Sequence, residues 1–408
     1  MPSLFDPYGL SRPETQQNPY PCYERLRREA PVYFSEVWKG WLLTRHADVL
    51  TGFRDARLSS NRSGMFARYL PPEQQERLLP LTRNVAAWAL HMDAPGHTRV
   101  RSLINKAFSP RLVEALRPRI QELVNRLLDE VEGTGCMEVV RHLAAPLPVI
   151  VIGEMMGLPR EDFGQLKSWS DNMSRFFGAV ARAPELLEEA LRAIQEMEDY
   201  FRRLLVQRRE QPGEDLLSAL ARAEEQGRLL SEQELLSTCM MVLFGGHETT
   251  TALLSNGLYA LLRHPEQWAL LRQEPERVPM AVEELSRYES PVHRMSRIAL
   301  EDLEVGGQRV RKGDLVFLVI GAANRDEEVF ESPERLDVRR NPRQHLAFGH
   351  GAHFCVGTVL ARLEAQVALS TVLRRFPHLA LEEEAPRWAQ NIVIRGLESL
   401  PVRWGPPR

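Results

Sequence analysis

The sequence is short of cysteine. Cys22, Cys136, Cys239 and Cys355 are scattered through 408 residues without framework spacing, which excludes a disulfide scaffold and points to reduced thiols in a cytosolic protein. No apolar run is long enough to span a bilayer. The most apolar stretch, Ala144 to Leu158, is broken by Pro146, Pro148 and Glu154. Met1 to Pro21 is polar and proline-rich, with neither the basic nor the apolar region of a signal peptide. The expectation is therefore a soluble, cytoplasmic chain without a membrane anchor. A net charge of −3 gives no bulk attraction to nucleic acid or anionic membranes. No internal repeat or low-complexity tract is visible. The 43% hydrophobic and 26% charged residues are ordinary for a globular protein, and length alone suggests two or more domains.

What is present is mostly helical periodicity. Val32-Tyr33-Phe34 and Trp41-Leu42-Leu43, around Lys39-Gly40, read as a hairpin, and His46 to Leu58 as a helix. Residues 60–92 have weak periodicity and read as an irregular segment, either a lid or a plain connection. Asp93 to Arg101 opens a helix. Leu112–Val131, Arg160–Phe177, Pro184–Arg209, Asp215–Gln226 and Glu276–Glu289 read as amphipathic helices. Ser231-Glu232-Gln233-Glu234 fits a capping box. It starts the longest helix, which runs to about Arg263, is roughly 45–50 Å long and is apolar on most sides, as a central buried helix should be. Ile298–Val305 and Arg309–Val319, around Gly306-Gly307, suggest a small antiparallel sheet. The fold class expected is mainly α with small antiparallel β-sheets.

Four places carry chemistry. Phe348-Gly349-His350-Gly351-Ala352-His353-Phe354-Cys355-Val356-Gly357 puts a thiol between glycines, ahead of a helix over Val356–Leu373. A helix N-terminus stabilises a thiolate, and the glycines let backbone lie against something flat. A soft axial ligand to haem iron is the simplest chemical reading. A buried thiol, a zinc site with His350 and His353, or an ordinary turn compete with it. Mid-helix Gly245-Gly246-His247-Glu248-Thr249-Thr250 is costly, since each glycine loses about 1 kcal/mol against alanine. Close helix packing would explain the glycines but not an acid beside hydroxyls, and His247 has no evident role. Glu284 and Arg287 alone would be a weak i,i+3 surface pair. His97 and Arg101 share a helix face, as a solvated pair or as a clamp on a carboxylate.

Together these residues resemble the cytochrome P-450 family. Phe348, Gly349, Gly351, His353, Cys355 and Gly357 fill its F-G-x-G-x-H-x-C-x-G ligand loop, and Leu360-Ala361-Arg362-Leu363-Glu364 continues it. Gly245 to Thr250 resembles its oxygen-binding segment, with Glu248 and Thr249 as the acid–alcohol pair. Glu284-Leu285-Ser286-Arg287 is similar to its structural E-x-x-R, and His97 to Arg101 to its propionate-binding H-x-x-x-R. The resemblance covers roughly residues 20–404 in family order. It implies one cytochrome P-450 domain over 1–408, with 1–20 an extended N-terminal segment.

The resemblance also implies a cofactor, haem b, held by Cys355 as axial ligand. Phe348, Gly349 and Gly357 would shape the loop, and His97, Arg101, Arg297 and His353 would neutralise the propionates. The activity implied is monooxygenation of an apolar small molecule such as a fatty acid, terpenoid, steroid or macrolide. Two electrons would come from a separate ferredoxin and ferredoxin reductase, docking near Arg339, Arg340 and Arg343. Met241, Phe244, Gly245, Val292, Ile392 and Val393, with segments 60–92 and 170–190, would line the substrate pocket. Two readings stay beside this one: a peroxide-driven haem-thiolate enzyme, and a non-catalytic haem-binding or gas-sensing protein.

Overall fold

The N-terminal hairpin forms as its pattern requires. Val32–Ser35 pairs antiparallel with Gly40–Leu43, Val32 opposite Leu43, and Lys39 takes the positive φ of 51° that closes the turn. Gly40 has no alternative, because a Cβ there would stand 2.8 Å from the carbonyl oxygen of Leu315. That neighbour belongs to Leu315–Leu318, whose Val316–Leu318 run parallel to Trp41–Leu43. Met295–Ile298 then pairs antiparallel with the same strand. The sheet is thus mixed where an antiparallel one was expected. The parallel partner comes from the far end of the chain, and local alternation cannot announce it. Gly306 and Gly307, both at positive φ, turn Leu303–Val305 onto Gln308–Val310 as a separate hairpin.

The computed structural model describes residues 5–66, 68, 71–179, 184–225, 230–383 and 385–404. The chain divides into two compact units: Met1–Leu58, Val113–Leu147 and Thr249–Arg408 make the first, Ser59–Leu112 and Pro148–Glu248 the second. In the first, the mixed sheet buries Val32, Leu43, Val316 and Leu318 in one core with Phe53, Ala323 and Leu346. There the helix Thr358–Arg375 packs on Arg117–Glu132 and Val278–Tyr288. It buries Leu360, Leu363, Val367 and Leu373, the side its periodicity marks.

In the second unit, Phe163–Gly178, Pro184–Glu210 and Leu216–Glu225 follow the expected helices closely. The long helix runs from Glu232 to Leu262, with the unit boundary between Glu248 and Thr249. Its capping box is built as read. The Glu234 N–H donates to Ser231 Oγ at 3.2 Å, and the Ser231 N–H to Glu234 Oε2 at 2.8 Å.

Proline accounts for the main differences. Residues 60–92 are not irregular: they hold the short helices Ser63–Phe66, Pro72–Arg77, Leu79–Ala86 and Ala89–His91. Proline occupies the first turn of both Pro72–Arg77 and Leu79–Ala86, where a missing N–H costs nothing, so an apparent breaker is a start signal. The same placement splits Leu112–Val131 into Pro110–Glu114 and Arg117–Glu132, and lets Pro146–Met156 be helical. Pro13–Gln17 is a further short helix inside the N-terminal segment expected to be extended. The His46 helix stops at Arg54, freeing Leu58 for a sheet edge. Residues 67, 69, 70 and 180–183 of the two pocket segments lie outside the described residues.

Candidate active site

Cys355 stands two residues ahead of Gly357, which caps the helix Thr358–Arg375. Backbone geometry holds the thiol in place. The Cys355 N–H donates to the Phe348 carbonyl at 2.9 Å, and Thr358 Oγ1 donates to the Cys355 carbonyl at 2.7 Å. Gly349 and Gly351 turn the loop at φ of 70° and 71°, a conformation other residues rarely adopt. A Cβ at Gly351 would also approach the Phe53 carbonyl oxygen to 3.2 Å. Cys355 ends up exposed, beside Phe354 at 41% exposure. His353 closes a single 3₁₀ turn, Gly351–His353.

The loop is braced by Arg362, which the motif includes, and by Glu283 and His345, which no sequence motif singles out. Arg362, one helix turn into Thr358–Arg375, gives Nε and Nη2 to the Glu283 carboxylate at 2.7 and 2.5 Å. His345 Nε2 reaches the same carboxylate at 3.0 Å. Burial pushes the Glu283 carboxyl up, but its bonds to His345 and Arg362 outweigh that and hold it below its ordinary value. The Arg362 guanidinium also lies over the Phe348 ring at 4.8 Å. Two adjacent glutamates, Glu283 and Glu284, were the available signal.

Glu284 and Arg287 are not the exposed pair that statistics favour. Both side chains are 0% exposed, joined by bonds of 2.7 and 2.8 Å. Arg340 joins them: its Nε is 3.2 Å from Glu284 Oε1, and Nη1 donates to the Glu331 carbonyl. That corrects its place in the expected docking patch, since it is turned inward while Arg339 and Arg343 face solvent.

On the long helix, Gly246 packs tightly, because a Cβ there would meet Ile152 at 2.9 Å. At Gly245 a Cβ would meet no described residue within 4 Å. The two glycines therefore differ: close packing explains Gly246 and does not explain Gly245. Glu248 does not reach solvent alone. His247 Nε2 is 3.2 Å from its Oε1, and Asp171 and Lys167, from Phe163–Gly178, complete the group.

The other expected residues fall as follows. In the second unit Phe244 packs against Trp88 and Phe177 at ring separations of 5.4 and 5.5 Å, with Phe66 against Phe177, and Met241, three residues before Phe244, is half-buried. His97 is buried, and burial first, then Arg101, pushes its imidazole down. Arg101 Nε donates to Asn105. In the first unit Val292 bridges to Ile394, and the His293 N–H donates to the Val393 carbonyl at 2.9 Å, which brings Val292 and Val393 together; Ile392, one residue earlier, is half-buried. Arg297 is buried, 5.6 Å over the Phe53 ring. Thr249 is half-buried.

This donor set fits haem better than zinc. His350, His353 and Cys355 do not close into a metal-spaced cluster; among the described residues the one such trio is Asp171, His247 and Glu248. Instead an exposed thiol and an exposed phenyl ring crown a glycine-turned loop, a surface that a flat apolar group would cover.

Comparison with known proteins agrees. Residues 14–396 match the cytochrome P450 family. The polyketide biosynthesis cytochrome P450 PksS of Bacillus subtilis is 39% identical, over 98% of each chain. The crystal structure of P450BioI with a hexadec-9Z-enoic acid-ligated acyl carrier protein superposes with a TM-score of 0.90 at 38% identity, over 96% of this chain and 99% of that one. Myxobacterial CYP267B1 in complex with myristic acid also gives 0.90, at 37% identity over 98% and 100%. Among the described residues no helix is long and apolar enough to cross a membrane. The chain belongs to the cytochrome P450 family, with the haem b cofactor and monooxygenase activity of its bacterial members.

Proposed function

We propose that the chain hydroxylates or epoxidises an apolar small molecule with dioxygen and electrons from a separate ferredoxin and its reductase in the cytoplasm. The observation that carries this reading is Cys355: an exposed thiol, fixed by backbone bonds at the head of a largely buried helix. Cys355 would ligate iron, and His97, Arg101, Arg297 and His353 would neutralise the propionates. Haem b, when bound, supplies the activation of dioxygen. The remaining work belongs to side chains. A depressed imidazole leaves His97 a neutral donor near pH 7. Glu248 would pass protons inward from the Lys167 side, and the Thr249 hydroxyl would orient the water that receives them.

The aromatic cluster of Phe66, Trp88, Phe177 and Phe244 and the aliphatic side chains of Val292, Ile392 and Val393 favour an apolar guest. The acyl and polyketide chemistry named for the relatives supports a fatty-acyl or macrolide-like one. Arg339 and Arg343 remain the basic residues before the loop that a ferredoxin would meet. The test is the carbon-monoxide spectrum of the reduced holoenzyme. A thiolate-type band in the parent and its loss in Cys355→Ala are expected, and the same band in both proteins defeats the assignment.

A further inference from the structure

His247 is the group on the long helix that the mechanism leaves without a task. Its ring is 1% exposed, and Nδ1 lies 2.9 Å from the carbonyl oxygen of Leu243, one turn back. A carbonyl only accepts, so Nδ1 carries a hydrogen. That leaves Nε2 facing Glu248 Oε1 at 3.2 Å, in ion-pair range and off the line of a hydrogen bond. Without a proton on either atom, two lone pairs would oppose each other where solvent screens little. One proton therefore resides on the pair. Burial opposes charge on both members, yet contact with Glu248 leaves the His247 imidazole raised, and contact with His247 leaves the Glu248 carboxyl held low. Contact between the two therefore favours imidazolium beside carboxylate.

The groups facing the pair from the neighbouring helix are Asp171 and Lys167. Polar atoms of Asp171, His247 and Glu248 lie within 4.8 Å of one another, and Lys167 Nζ is 2.5 Å from Asp171 Oδ2. Lys167 and Asp171 are 39% and 40% exposed, so the group runs from a buried ring to water inside the second unit. The trio's spacing would suit a divalent cation, but an ammonium already neutralises Asp171 and Nδ1 is committed to Leu243.

We propose that His247 and Glu248 act as one proton-holding pair, refilled from water through Lys167 and Asp171, with His247 as the positioning residue that keeps Glu248 charged between deliveries. This rests on Glu248 being the acid of the oxygen-activating site. When the pair gives up its proton, it passes from net zero to net −1: neutral imidazole beside carboxylate. The exposed lone-pair repulsion then draws one proton from Lys167–Asp171, which water replaces. No electrons move and no bond other than N–H or O–H is exchanged.

The test uses the carbon-monoxide-bound ferrous holoenzyme with isotopically labelled histidine, following the His247 ring by NMR across pH. His247 is expected to titrate above the ordinary histidine range in the parent and to fall to or below it in Glu248→Gln. In turnover, His247→Gln is expected to move the alkaline limb of product formed per electron to lower pH, with about tenfold more loss at the alkaline end than near neutrality. A His247 that titrates in or below the ordinary range in the parent overturns the shared proton whatever the activity. The NMR shift as expected, with product per electron unchanged in Glu248→Gln, instead removes Glu248 from oxygen activation and takes the delivery role with it. If His247→Gln fails to fold, the Glu248→Gln titration still decides the pairing.

Discussion

Two acid–cation pairs ride on helices here, and they behave as opposites. Arg287 spends all of its N–H groups: Nε and Nη2 on Glu284, Nη1 on the Asn324 and Pro333 carbonyls, and Nη2 again on Arg335. Glu284 also accepts from the Asp337 N–H and from Arg340. His247–Glu248 is equally withdrawn on its histidine side but has one backbone bond and one angled contact. Burial is common to both. What separates a brace from a proton holder is how many bonds each charge already has, because a saturated charge has nowhere to send or receive a proton. Glu364 extends the series: it is 1% exposed, and neither carboxylate oxygen has a hydrogen-bond partner among the described residues.

Three variants sharpen or break that ordering. Arg287→Met should be the most damaging, costing about 3–5 kcal/mol in urea unfolding, because it strands a buried carboxylate and several carbonyls. A cost near 1 kcal/mol would put the two pairs in one class. Glu364→Gln should have the opposite sign. Burial raises the Glu364 carboxyl well above its ordinary range, so the folded state keeps a proton that the unfolded chain releases. The parent then loses stability as pH rises from the unfolded carboxylate range toward the folded value, at up to about 1.4 kcal/mol per pH unit. The glutamine variant lacks that slope, so it should be the more stable near neutral pH and level with the parent in acid. Equal slopes in both proteins would mean that Glu364 is ionised and partnered. The smallest effect belongs to Arg28→Ala, which removes a 3.6 Å pair with Glu24 whose side chains are 69% and 57% exposed. A change within about 0.5 kcal/mol is expected, and a larger one would show that exposure is a poor guide here.

The legibility of the molecule follows the range of its interactions. The Ser231 capping box, the Lys39 turn, the Gly306-Gly307 hairpin and the Cys355 loop are short-range devices, and each was read from neighbouring residues. The short helix at Pro72 and the break between Pro110–Glu114 and Arg117–Glu132 escape local pattern because proline both stops one helix and starts another, and only context decides. The Glu283 brace, the company of Asp171 and Lys167 beside Glu248, and the inward turn of Arg340 depend on partners distant in sequence. Spacing along one chain cannot place those. Gly245 and Gly246 make the point within two residues: one is small for packing and one is not, a difference visible only in three dimensions.

The parallel strand contact between Trp41–Leu43 and Val316–Leu318 carries a consequence for how the protein is made. A ribosome must emit more than three-quarters of the 408 residues before the hairpin at the start finds that neighbour. Arg395 comes later still, and it grips the carbonyls of Gln16 and Gln17. The first residues synthesised are among the last to be secured, so truncation near the C-terminus should leave the nascent N-terminal segment as unprotected as truncation at the front.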